Sequence, residues 1–275
     1  MTDPPVATYP PAHHVLRDLG LATEVGPGLV SRGRIEIDDH LRTGTGVTHA
    51  GAIATLVDAL GGGLAAVAAQ PDWIATADLT LHALARPGLT AIEAAGHVVR
   101  RGRTTIVVEV TLTADATPLG AATMTFAVLP RREGNPVIAG TDTINRMTMA
   151  VTGSGFRAPL EPTAGIAVLD APTGTLELPI SDYVRNSLGA VQGGMMATLA
   201  AAASDRALSA AAGRPLATVD LQVVYLSLAK IGPVATRTTV LDAQPAFGTA
   251  HVELVDTGAE NRVTTVVRTR AVAVS

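Results

Sequence analysis

Two strings in the chain bring together the groups that acid–base chemistry at a carbonyl needs. Asn186-x-x-Gly189-x-x-Gln192-Gly193-Gly194 runs into an Ala-rich stretch at 193–212, and Thr43-x-x-Gly46-x-x-His49-Ala50-Gly51 runs into another at 50–69. If these stretches are helices, Gly193 opens the second. A helix-opening N–H points outward with the positive end of the dipole, which suits negative charge developing on a carbonyl oxygen. A glycine there lets such a carbonyl approach without meeting a Cβ. Gln192 could orient that turn or bond the carbonyl, and Asn186 could hold the turn or position water. Asp58 lies nine residues after His49. Its carboxylate could take a proton from water or attack an acyl carbon itself. Thr76 and Thr218 offer hydroxyls for the water or the carboxylate, although threonine is also simply a good strand former.

The elements that would position these groups are legible from spacing. Ile53, Val57, Leu60, Leu64 and Val67 recur at helical intervals and make one apolar stripe for a sheet to cover. Asp58 lies off that stripe, with Ala54, Thr55, Gly61 and Gly62 one turn away. Glycine in a helix interior costs about 1 kcal/mol relative to alanine. The run Gly61-Gly62-Gly63 is therefore expected to serve close packing against the other half of the chain, which places Asp58 at an interface; the alternative is a solvated acid on a loosely patterned helix. The second stretch has a similar small face, Ala197, Thr198, Ala201 and Ser204. Ala201 occupies the position equivalent to Asp58, and an acid, Asp205, follows one turn later.

The chain repeats itself. At an offset of 143, Ile37 matches Ile180, Asp39 matches Asp182, Arg42 matches Arg185, Gly46 matches Gly189 and Gly51 matches Gly194. The phrase ATADLTL at 75–81 returns as ATVDLQV at 217–223, an offset of 142. Alternating runs predict strands at 74–84, 91–100, 104–113 and 119–129, then at 217–228, 234–242, 248–256 and 262–273. Hairpins are expected at 21–37 and 166–180. Each half thus reads as a hairpin, one long helix and four strands, an order that an antiparallel sheet wrapped around its helix satisfies. The expected division is a first domain with a short leader over 1–132, a linker over 133–155 that fits no sheet pattern, and a second domain over 156–275.

Composition narrows the function. The 275 residues are 47% hydrophobic and 16% charged, with a net charge of −4, so no basic footprint for nucleic acid exists. Without cysteine there is no disulfide, thiolate metal site or thiol nucleophile. His13, His14 and His40 are scattered without ligand spacing, so no metal is expected. The stretch 50–69 carries Asp58 and three glycines, which argues against a membrane span. The N-terminal string lacks the basic and apolar parts of a signal peptide. A soluble, cytoplasmic protein is expected.

The motifs resemble those of hotdog-fold acyl-CoA thioesterases of the phenylacetate-pathway and 4-hydroxybenzoyl-CoA type. Their pattern is Asn-x-x-Gly-x-x-His-Gly-Gly, an acid about nine residues after the His, and a hydroxyl on the following strand. The resemblance covers nearly the whole chain twice and implies an α+β tandem hotdog, two long central helices each wrapped by an antiparallel sheet as a pseudo-dimer. In that family the site lies between two units, one supplying the acid and hydroxyl. Carried over, one site would join Asn186, Gln192 and Gly193 to Asp58 and Thr76, with Gly194 beside the substrate. The opposite site would hold Thr43, His49, Ala50 and Gly51 with Ala201 and Thr218. Lacking Asn and acid, it would be degenerate, unless Asp205 partly restores it. Arg101 and Arg103, with Arg100, could clamp coenzyme A phosphates, or form an ordinary solvated turn. The implied reaction is hydrolysis of a small-molecule acyl thioester, with coenzyme A as part of the substrate and no other cofactor. A non-catalytic acyl-thioester sensor is the alternative. A hydratase is disfavoured because neither an Asp-x-Asn-Pro-x-His nor a His-Phe-Pro-Gly string occurs. Further pairing of chains into a homo-oligomer is compatible with this arrangement.

Overall fold

The computed structural model describes residues 9–131 and 144–274. In the first half, the one-turn helix α1 (Val15–Asp18) precedes strands β1 (Ala22–Gly26) and β2 (Val30–Glu36), then the long helix α2 (Ala50–Ala69). Strands β3 (Trp73–Ala83), β4 (Ala91–Arg101), β5 (Thr105–Ala114) and β6 (Thr117–Leu129) follow. After β7 (Asn145–Thr148) and the short α3 (Leu160–Thr163), the second half repeats the plan. It has β8 (Ala167–Asp170), β9 (Thr175–Leu178), α4 (Gly193–Ala212), β10 (Leu216–Tyr225), β11 (Val234–Ala243), β12 (Phe247–Asp256) and β13 (Arg262–Ala273).

Among the described residues thirteen strands form one sheet, in the order β7-β1-β2-β4-β5-β6-β3-β10-β13-β12-β11-β9-β8. The halves meet where β3 and β10 pair antiparallel, Asp78 opposite Val224 and His82 opposite Asp220. That seam is unrelated to sequence proximity; it makes the two half-sheets one surface wrapped around two helices. The stripe on α2 packs as expected, with Ile53, Val57, Leu60 and Leu64 buried. By length and composition α2 could cross a membrane, but most of it is buried inside the protein, as for a core helix.

The linker expectation needs correction. Residues 132–143 lie outside the described residues, but Asn145–Thr148 pairs with β1 and extends the first half's edge. Arg146, Met147 and Thr148 are all exposed. An edge strand with no buried face has no alternation to read, which is why spacing missed it.

The leader also has a structural role. His14 is fully buried; its Nδ1 accepts from the Leu16 N–H to cap α1, and its Nε2 donates to the Arg185 carbonyl at 2.8 Å. Val15 N–H donates to the Tyr183 carbonyl. The N-terminus of the first half thus braces the turn that leads into α4.

Candidate active site

The two helices start at equivalent turns. Asn186 accepts from the Leu188 and Ala190 N–H groups through its side-chain oxygen, at 2.9 and 3.1 Å. Its own N–H donates to Ala190 O, and Gly189 takes the left-handed φ of +74° that the turn requires. Asn186 therefore shapes the turn, and among the described residues no hydrogen bond joins it to Asp58. In the first half Thr43 spans the same turn, its hydroxyl 2.7 Å from that of Thr45. Each turn ends on a buried cap. His49 Nδ1 accepts from the Gly51 N–H at 3.0 Å, and Gln192 Oε1 accepts from the Met195 N–H at 3.1 Å.

The caps differ in what their other end reaches. Gln192 Nε2 donates to Asp58 Oδ2 at 2.9 Å, across the boundary between halves. The Gly194 N–H donates to the same oxygen at 3.2 Å, and the Thr76 hydroxyl to Oδ1 at 3.3 Å. A β-bulge in β3 between Thr76 and Asp78 accompanies this aim of the hydroxyl. Gly193 is required by contact: a Cβ there would lie 2.9 Å from Asp58 Oδ2. The group it makes room for is thus the carboxylate, rather than only an incoming carbonyl. The structure accordingly joins Asp58, Thr76, Gln192, Gly193 and Gly194 in one buried centre. Burial pushes the Asp58 carboxyl up to about 6, and the bonds from Gly194 and Thr76 pull against that rise.

The opposite centre is built differently. Ala201 stands where Asp58 has its counterpart. Asp205, a turn later, accepts from the Thr218 N–H at 2.7 Å and its hydroxyl at 2.6 Å, within its own half. Burial also pushes this carboxyl up to about 6. His49 Nε2 faces Glu161 Oε1 at 3.4 Å, and Glu161 is held by Arg206. Burial would raise the Glu161 carboxyl, but His49 and Arg206 outweigh it and hold it down to about 2. The short α3 is the counterpart of α1, but Glu161 and Arg206 had no signal in the repeat, because Leu16 and Gly63 stand at the equivalent positions of the first half.

One expectation about placement changes. The glycine run does not face the partner helix: a Cβ on Gly61 would meet Met124 Sδ at 2.6 Å, in the first half's own sheet, and one on Gly63 would meet nothing. The close approach between α2 and α4 falls instead at Gly51 against Thr198 and at Gly194 against Thr55, where the Cβ sites are blocked by backbone. Arg101 and Arg103 are exposed at the β4–β5 turn. Since Thr105 pairs with Ala127, itself paired with Ala75, that turn lies two to three strand spacings from Thr76, about 10–15 Å. Among the described residues no three His, Asp or Glu side chains are grouped to hold a metal ion.

No family model and no curated protein matches the sequence. Solved structures do. A presumptive thioesterase II from Thermobifida fusca YX is 17% identical, with a TM-score of 0.60 over 96% of this chain and 99% of its own. An acyl-ACP thioesterase from Bacteroides thetaiotaomicron is 12% identical, with a TM-score of 0.59 over 88% and 98%. A protein of unknown function with a hot dog fold from Alicyclobacillus acidocaldarius is 14% identical, with a TM-score of 0.60 over 95% and 98%. At these identities the likeness speaks for architecture, and with the repeated helix-in-sheet plan it makes this chain a tandem hotdog fold.

Proposed function

We infer that the chain hydrolyses acyl thioesters, with coenzyme A as the favoured carrier, at the Asp58 centre. The observation that carries this reading is the Asp58 carboxylate, buried yet held by Thr76 of its own half and by Gln192 and Gly194 of the other. A carboxyl near 6 is ionised enough at neutral pH to act as base and acidic enough to return the proton. Water attacks the thioester carbonyl carbon while Asp58 takes its proton. The oxyanion then collapses, the C–S bond breaks, and the departing thiolate receives the proton from Asp58. At the start of α4 the Gly194 N–H is engaged by Asp58 and the Met195 N–H by Gln192. The Gly193 N–H is the remaining donor of that turn for the carbonyl oxygen. Arg101 and Arg103 stand at a distance suited to the carrier's phosphates. The architecture shared with an acyl-ACP thioesterase supports the same reaction class.

The test is thiol release from a panel of short, long and aryl acyl-CoAs. Stoichiometric thiol in repeated turnovers is expected. Tight binding of acyl-CoA without release would replace the enzyme by a thioester-binding protein.

A further inference from the structure

The repeat aligns Tyr225, the last residue of β10, with Ala83, the last of β3, at the offset of 142 that also relates Thr218 to Thr76. The two positions have different surroundings. Around Ala83 lies a small, mostly apolar pocket that Ala50, Ile53, Leu84, Leu89 and Thr218 also line. Ala50 and Thr218 are the counterparts of Gly193 and Thr76, so this pocket of about 10 Å³, room for one water, adjoins the second centre. At the Asp58 centre the aligned residue is the half-buried Tyr225. Its hydroxyl donates to the Gly193 carbonyl at 2.9 Å, which holds the ring beside the opening turn of α4.

We propose that Tyr225 sets the length of the acyl group at the Asp58 centre, its ring filling space beside Gly193 that an alanine, as at Ala83, would leave free, and restricting the substrate to short chains. The proposal rests on the hydrolase reading but is tested apart from it. A tyrosine removes the volume of several methylenes from that space. Each methylene newly buried is worth about fourfold in affinity, so admitting two or three gives roughly 15- to 60-fold.

The experiment measures Kd for non-hydrolysable thioether analogues of acetyl-, butyryl-, hexanoyl- and octanoyl-CoA, with kcat and KM for the matching thioesters. Wild type is expected to bind the short analogues best. Tyr225→Ala should move the optimum to longer chains by at least tenfold in relative affinity, with the gain in KM rather than kcat. Tyr225→Leu should move it in the same direction by less, and it decides the matter if the alanine variant does not fold. Tyr225→Phe keeps the ring and should keep the wild-type profile. Unchanged chain-length profiles in the alanine and leucine variants would overturn the proposal, as would a phenylalanine variant that shifts like alanine. Absence of turnover in every protein would count against the hydrolase reading alone, since the thioether Kd values still report on Tyr225.

Discussion

At the scale of single residues, Asp58 has two measurable consequences. If it is the base, kcat/KM rises with pH through about 6 as the free carboxyl ionises. Asp58→Asn should remove that rise together with turnover. The same burial sets a stability trend. The carboxyl titrates near 6 when folded and at 3.8 as an ordinary side chain. The folded chain therefore binds more protons between those values, and stability falls as pH rises through them. Asparagine avoids burying the charge: its oxygen can accept from Gln192 and Gly194, and its amide can face Thr76. Asp58→Asn should thus be more stable than wild type at pH 8, by on the order of 2–3 kcal/mol, and no more stable at pH 3, as read by denaturant titration at both. Asp58, Thr76 and Gln192 were legible in the sequence because a motif fixes their spacing. Asn186 was legible as a position with two roles open, holding the turn or positioning water, and the two turn amides on its oxygen decide for the turn. Tyr225 was hidden because a tyrosine ending a strand is unremarkable until the repeat sets it against alanine.

At the scale of elements, glycines separate helix packing from helix propensity. The Cβ sites of Gly51 and Gly194 are filled by backbone of the facing helix. Alanine at either must push α2 and α4 apart, at a cost of roughly 1–3 kcal/mol or more. Gly63 is exposed with nothing near its Cβ site, so Gly63→Ala should gain about 0.5–1 kcal/mol from helix propensity. Thermal or urea unfolding of the three variants checks this opposition of sign. Gly193→Ala is a separate case, since the added methyl meets a side-chain carboxylate 2.9 Å away. It should displace Asp58 from Gln192 and lower kcat by tenfold or more while the fold persists. The helices and most strands were readable from periodicity because they bury one face; β8, exposed along its length, was legible only through its hairpin. The reason for three successive glycines was not, because the partner each glycine faces is set by how the sheet curves around α2, a tertiary property.

At the scale of the whole molecule, duplication leaves two centres that have diverged in a consistent direction. At one, the cap is Gln192 and the acid reaches across from the other half. At the other, the cap is His49, the residue facing it is Ala201, and the nearby acid is tied to a threonine of its own half. The offset between halves made the duplication visible in sequence, but not the seam between β3 and β10, because strand pairing between distant halves leaves no local pattern. The divergence yields a prediction about count. Burial raises Asp205 as far as Asp58, so pKa alone would nominate both. What separates them is connection. Asp205 receives its hydrogen bonds from Thr218, while His49 is engaged by Gly51 on one nitrogen and turned to Glu161 by the other. No cap donor from the opposite half reaches Asp205. Asp205→Asn should therefore leave thiol release close to that of wild type, whereas Asp58→Asn abolishes it, and titration with a tight thioether analogue should give one catalytically coupled site per chain. If Asp205→Asn silenced the protein and Asp58→Asn did not, the working centre would be the one where His49, Glu161 and Arg206 meet.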